Sequence, residues 1–330
     1  MSKAFVMTGL QGSGKSTVAA ELAVKEKAKV FSSDTYRKNM YGSESVQEHN
    51  QEIFNALYRD MRAALIAGEN IIFDATNCTM KDRARFFNQI KGIDNVEVIA
   101  IVVNVPVLVC IERDAARERT VGKEVIERYI KKFQCPQKFE GFSEIRFTEN
   151  PILTPEEMLY PAYGYDQGNP HHINSLDMHC KCLASNYNAD TVEHAAGLIH
   201  DVGKLRTRSE DNQGIAHFYD HDNVGAYLCI THLGRAFFAS DDDYLKCICI
   251  VNYHMKFHKD WRTEKYKQLF GEGLYNTLVQ FAEYDKEASG TESIHNDIIR
   301  MQKVEKLLYE EIISSEIWQK CKKEHSYVVL

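Results

Sequence analysis

Proline and glycine are scarce in this chain, at 6 and 18 of 330 residues. Both fall below ordinary usage, which excludes collagen-like and proline-rich disordered architectures and favours long helices. No run approaches the roughly 20 consecutive apolar residues that cross a bilayer, so no membrane partner is expected. The stretch Met1–Gly9 has no charged segment followed by an apolar one, so no secretory signal is expected and the location inferred is cytoplasmic. Nine cysteines in such a chain read as reduced thiols, and no Cys-x-x-Cys pair suggests a zinc ribbon.

Histidine is nearly missing from one half. Of 13, only His49 lies within the first 165 residues. Charge divides unevenly as well. The first half carries 22 basic and 22 acidic residues and the second 18 and 25, so the net charge of −7 belongs to the second half. What is present in ordinary amount, 44% apolar and 26% charged residues, fits a folded soluble protein, and the length allows two domains.

Residues 1–150 alternate apolar runs with amphipathic ones. Ala4–Thr8, Lys29–Phe31, Asn70–Phe73 and Val96–Val103 read as buried strands, and Ser16–Lys25, Ser45–Ala67, Lys81–Ile90 and Val107–Arg119 as helices. This βαβ rhythm predicts an α/β domain with a parallel sheet. The span Asn150–Pro170 holds four of the six prolines, and residues 151–165 read as a linker. Residues 166–330 read as an all-α domain without convincing strand pairs. A terminal helix after Ile294 is expected from Val304, Leu307, Leu308 and Ile312.

Gly9, Gly12, Ser13, Gly14, Lys15, Ser16 and Thr17 fit the pattern G-x-x-x-x-G-K-[ST] between a strand and a helix. Glycines let backbone N–H groups curl around phosphates, Lys15 reaches the β- and γ-phosphates, and Ser16 holds Mg²⁺. ATP or another NTP with Mg²⁺ is the expected ligand. Asp34, after the second strand, is placed either to accept a proton from an attacking hydroxyl or to cap a helix. Asp74 ends the third strand in Asp-Ala-Thr-Asn77, and reads as a substrate or metal contact or as a strand-end turn. Arg113 and Arg117, four apart, are expected to share a helix face, as a lid over the nucleotide or as a solvated surface.

Together these segments resemble the phage-type polynucleotide 5′-kinases, through the Gly-x-x-Gly-Ser-Gly-Lys-Ser-Thr loop, Asp34-Thr-Tyr-Arg37, the Asp74…Asn77 strand end and the arginine pair. The resemblance covers residues 1–150. It implies Asp34 as general base, Arg37 as a contact to a substrate phosphate, and Arg117 with Arg113 as nucleotide clamp. The third strand departs from the family's Asp-Thr-Asn by one inserted residue.

In the second half His179, His200-Asp201, His221, His254 and Asp285 form an ordered set suited to a divalent transition metal such as Mn²⁺, Ni²⁺, Co²⁺ or Zn²⁺. Such a centre polarises a phosphoryl oxygen and activates water. Lys204, one turn beyond His200, is placed to touch a bound phosphate. His171, His172, His194, His217, His232, His258, His295 and His325 have no expected role. The half resembles HD-superfamily phosphohydrolases over residues 165–290, through Ala196-Gly-Leu-Ile-His-Asp-Val-Gly-Lys204 and His217-Phe-Tyr-Asp-His-Asp-Asn-Val-Gly-Ala226. The nearest likeness is the HD domain attached to bacterial tRNA nucleotidyltransferases, although no nucleotidyltransferase palm precedes it. The resemblance implies His179, His200, Asp201 and Asp285 as metal ligands, with His221 and His254 on a phosphate or second metal.

The two resemblances together imply an enzyme that heals broken strand ends, RNA before DNA. One half phosphorylates a 5′-hydroxyl, the other removes a 2′,3′-cyclic phosphate or 3′-phosphate, and a separate ligase follows. Two alternatives stand beside it. One is a small-molecule or nucleoside kinase fused to a metal-dependent nucleotidase; the other is a non-catalytic regulator that senses ATP or nucleotide. The acidic balance disfavours nucleic acid, and the one basic excess is Arg113–Lys138.

Overall fold

β1 (Ser2–Thr8) is fully buried from Ala4 to Met7, so it needs cover on both faces. The computed structural model describes residues 1–44, 46, 48–170, 172–258 and 263–289, and divides the chain into two units, Met1–Asn150 and Pro151–Leu330. In the first unit β1 is followed by α1 (Lys15–Glu26), β2 (Ala28–Ser32), α2 (Ser33–Tyr41), α3 (Asn50–Ile66), β3 (Asn70–Asp74) and α4 (Met80–Ile90). Then come β4 (Val96–Val102), α5 (Val107–Ala115), α6 (Lys123–Ile130) and β5 (Glu144–Phe147). The five strands pair in parallel in the order β2-β3-β1-β4-β5. The chain leaves β1 toward one edge and returns to add β4 on its other side. That reversal leaves a crevice at the carboxyl end of β1, where the glycine loop lies.

The predicted strands and sheet class appear, with three differences. Lys29–Phe31 was expected to be buried, yet β2 is an edge strand: Val30 is 42% exposed and Lys29 pairs with Glu69 at 2.7 Å. α2, α6 and β5 were not expected. β5 is four residues long and buries only Ile145, too short a pattern for a period to declare itself. The helix expected to run to Arg119 ends at Ala115, because Asp114 turns back to accept the backbone N–H groups of Val121 and Gly122.

Residues 151–165 are folded, which corrects the linker reading. α7 (Pro155–Leu159) starts with a reciprocal cap between Thr154 and Glu157, and its proline occupies a first-turn position where a missing N–H costs nothing. Leu153, Met158, Leu159 and Ala162 are buried in the second unit, and Leu153 bonds to His232 and Gly234 through its backbone.

The second unit continues with α8 (Leu176–Ala184), α9 (Val192–Ile199), α10 (Lys204–Thr207), β6 (Arg208–Glu210), β7 (Ala216–Phe218), α11 (His221–His232), α12 (Asp241–Tyr253) and α13 (Thr263–Ala288), kinked at Gly271. β6 and β7 form an antiparallel hairpin, so the unit is helical but not all-α. α11 is buried at every position except Asn223, as a helix surrounded by others should be. Gly203 lets α10 approach it. A Cβ there would sit 2.0 Å from the His221 carbonyl oxygen, so only glycine brings the segment after Asp201 against the start of α11. Among the described residues no helix is long and apolar enough to cross a membrane. The expected terminal helix after Ile294, together with Ser45, His171, His295 and His325, lies outside the described residues.

Candidate functional site

The first site is a cavity of about 880 Å³ beside the glycine loop. Gly12 has φ of 79°, and a Cβ there would lie 2.1 Å from the Cys110 carbonyl oxygen, so the turn excludes any side chain. Gly14, also left-handed, caps α1. Its helix therefore opens toward the cavity with its first N–H groups free of side-chain caps, the arrangement that attracts phosphate. Gly12, Gly14, Lys15, Ser16 and Thr17 line the cavity, and Gly9 and Ser13 do not.

Lys15 Nζ donates to the Leu10 carbonyl at 2.7 Å, which folds the side chain back over the loop. Burial pushes this ammonium below its ordinary value, opposed by the nearby Asp74 and Asp34 carboxylates. The Ser16 hydroxyl donates to Asp74 Oδ2 at 2.9 Å. Burial raises the Asp74 pKa, against the pull of Ser16 and Lys15. A hydroxyl and a carboxylate in contact beside a phosphate cradle fit a magnesium site. This favours the metal contact over a plain strand-end turn for Asp74.

Asp34 is not a helix cap: Ser32 occupies that position. Its carboxylate accepts from Arg37 Nη1 at 2.7 Å, and Arg37 Nη2 donates to Asn50 Oδ1 at 2.9 Å. Arg37 is 7% exposed, and its Nε is buried with no hydrogen-bond partner. Asn77 lines the cavity but donates to the Met7 carbonyl at 2.9 Å and takes φ of 46°, so it shapes the turn after β3. Arg117 lines the cavity, whereas Arg113 does not and donates from Nη1 to the Ser13 carbonyl at 3.4 Å. The two do not share a helix face, since α5 ends between them.

Several lining residues carried no sequence signal. Asn50, Phe54, Tyr58, Arg85 and Tyr129 come from three different helices and line the cavity. Arg83 braces the turn after β3 instead. It is fully buried, pairs with Glu140 through two bonds of 2.7 and 2.8 Å, and donates to the Asn77 and Gln134 carbonyls.

The second site gathers His179 from α8, His200-Asp201 after α9, His221 at the start of α11, His254 after α12 and Asp285 from α13. All six are buried. The Nδ1 atoms of His200, His221 and His254 face the carbonyls of Gly197, Phe218 and Val251 at 2.7–2.8 Å. A carbonyl only accepts, so each Nδ1 carries a proton and Nε2 is the ring atom turned toward the cluster. His179 and His200 bring their Nε2 atoms within 3.2 Å, as do His221 and His254.

Asp201 lies between the pairs. Its Oδ2 is 3.2 Å from His179 Nε2 and 3.3 Å from His200 Nε2, and its Oδ1 is 3.0 Å from His221 Nε2. Asp285 Oδ1 is 2.9 Å from His179 Nε2. The donors fall into three overlapping groups, His179-His200-Asp201, His200-His254-Asp285 and Asp201-His221-His254, a set that fits a divalent transition metal. Burial opposes charge on His200, yet Asp201 and Asp285 outweigh it and raise its pKa well above the ordinary value. Burial also works against charge on Asp201, but Lys204 and the imidazoles hold it well below the carboxylate range. Lys204 is turned toward this carboxylate: its Nζ donates to Asp201 Oδ2 at 2.7 Å and Gln167 Oε1 at 2.8 Å. Its contact in this structure is thus Asp201, where sequence pointed to a phosphate.

Residues 5–136 match the family model described as an AAA domain. No curated protein matches the sequence. Among solved structures, it is similar to a putative kinase from Chloroflexus aurantiacus at 16% identity, over 44% of this chain and 84% of that one, with a TM-score of 0.37. A sugar kinase from Janibacter sp. matches at 16% over 44% and 86%, with a TM-score of 0.34. Deoxyadenosine kinase from M. mycoides matches at 20% over 44% and 89%, with a TM-score of 0.29. With its glycine loop, Lys15 and Ser16–Asp74 pair on a parallel sheet, the first unit is an α/β domain of P-loop type.

Proposed function

We propose that this chain is a bifunctional nucleic-acid end-healing enzyme, acting on RNA. Its first unit is an ATP-dependent 5′-hydroxyl polynucleotide kinase. Its second is an HD-type, metal-dependent phosphohydrolase that removes a 2′,3′-cyclic phosphate or 3′-phosphate. The observation that carries the acceptor assignment is Arg37, a buried guanidinium fixed by Asp34 and Asn50 with Nε left without a partner. Arg37 is already paired with Asp34 but keeps one donor, Nε, for a further acceptor, which a phosphate on a strand end supplies. The aromatic rings of Phe54, Tyr58 and Tyr129 in the same cavity suit a nucleobase.

In the first unit Asp34 accepts the proton of the attacking hydroxyl while Arg37 holds the neighbouring phosphate. Lys15 and Arg117 neutralise charge on the transferred group, and Ser16 with Asp74 holds Mg²⁺. In the second, a bound divalent metal supplies Lewis-acid polarisation of a phosphoryl oxygen. His179, His200, Asp201 and Asp285 would hold it, His221 and His254 would flank the substrate, and Lys204 orients Asp201. The products, a 5′-phosphate and a 3′-hydroxyl, are those a separate ligase joins.

The net charge of −7 favours the alternative, a small-molecule kinase joined to a nucleotidase. γ-Labelled ATP separates the two. The proposal expects label on a 5′-hydroxyl oligoribonucleotide and none on free nucleosides or sugars. Label on the small molecules alone overturns it.

A further inference from the structure

His258 makes no contribution to any role described so far, yet it touches the metal centre from outside. Its Nε2 lies 2.7 Å from Asp285 Oδ2, while the other oxygen, Oδ1, faces His179 Nε2 at 2.9 Å and His200 Nε2 at 3.5 Å. The carboxylate is therefore divided between two tasks. Asp285 sits in the last turn of α13, where helix ends fray and a side chain needs an external restraint. His258 reaches it across 27 positions of sequence, from the end of the short 3-10 turn His254–Phe257. That turn thus carries a candidate ligand at one end and a restraint on a second ligand at the other.

We infer that His258 is a positioning residue for the metal centre, which donates from Nε2 to Asp285 Oδ2 and so aims Oδ1 at the cation. The inference rests on the metal reading of the second unit but adds a residue to it. Hydrogen-bond partners of metal ligands set ligand orientation, and their loss typically weakens metal binding about 10–100-fold. His258 does not itself contact the cation. Its effect passes wholly through Asp285, which makes the pair dependent on each other.

The test uses the full chain and Mn²⁺ alone, with affinity measured by calorimetry. His258→Phe keeps a ring and removes the donor, and is expected to weaken Mn²⁺ binding about 10–100-fold. His258→Gln retains an N–H donor and is expected to restore most of the affinity. In an Asp285→Ala background, His258→Phe is expected to change nothing further. Helix content by circular dichroism identifies a variant that has failed to fold, and the Gln variant then decides. Wild-type affinity in the Phe variant, or a Gln variant as weak as Phe, overturns the inference while leaving the metal site intact. Absence of Mn²⁺ binding by the wild-type chain overturns the metal reading and this inference with it.

Discussion

The two units of this chain gather their polar groups in opposite materials. The first uses backbone N–H groups, one lysine, a hydroxyl and carboxylates around an open cavity of about 880 Å³. The second uses four imidazoles and two carboxylates, all buried, on five helical segments. Hard oxygen donors suit Mg²⁺, which arrives with its nucleotide and keeps several waters. Imidazole selects a transition metal and holds it as part of the protein. Four of the twelve histidines in the second half lie in this cluster.

The comparison breaks most readily by removing metal. After chelation and addition of Mg²⁺ alone, the account expects full kinase activity and none of the phosphohydrolase, with Mn²⁺ restoring the latter. Equal recovery of both in Mg²⁺ contradicts the division of donor types. Lys15→Ala acts on the other side: loss of one preorganised cation is expected to lower the kinase rate about 10²–10³-fold. Hydrolysis of a 2′,3′-cyclic phosphate by that variant should match the wild type.

Stability gives a finer contrast. Arg83→Met strands Glu140, whose side chain is 4% exposed, and a broken buried pair costs about 3–5 kcal/mol. Urea denaturation followed through ATP binding should reveal it. Gly203→Ala drives a methyl into the His221 carbonyl and is expected to cost about 1–3 kcal/mol, read through Mn²⁺ binding. Smallest are the helix caps. Thr79 and Thr191 each accept a backbone N–H three residues on, and either change to alanine should cost about 1 kcal/mol. A larger loss from a cap than from Arg83 would mean that the buried network does not hold the first unit together.

How far each site was legible in the sequence follows from its construction. The phosphate loop is nine consecutive residues whose glycines answer to a backbone requirement, so its pattern survives in the sequence. The candidate metal centre spans His179 to Asp285, and only the residue types in order pointed to it. Asn50, Phe54, Tyr58 and Tyr129 were invisible because each is an ordinary helical residue until the helices meet. Arg113 and Arg117 read as one helix face because their spacing says nothing of the Asp114 turn that ends the helix between them. Pro155 looked like linker punctuation, although a proline in the first turn of a helix is equally at home. Lys204 was read toward the substrate, since spacing gives the turn of a helix but not the carboxylate it meets.

The central claim is that two chemically distinct sites act on the two ends of one break. It is tested by giving Asp34→Ala and Asp201→Ala an RNA that carries a 5′-hydroxyl and a 2′,3′-cyclic phosphate, with ATP, Mg²⁺ and Mn²⁺ present. Asp34→Ala is expected to lose about 10²–10⁴-fold in 5′ phosphorylation and to process the 3′ end normally. Asp201→Ala is expected to do the reverse. If either substitution removes both activities together, or neither end is altered by the wild-type chain, the account is contradicted.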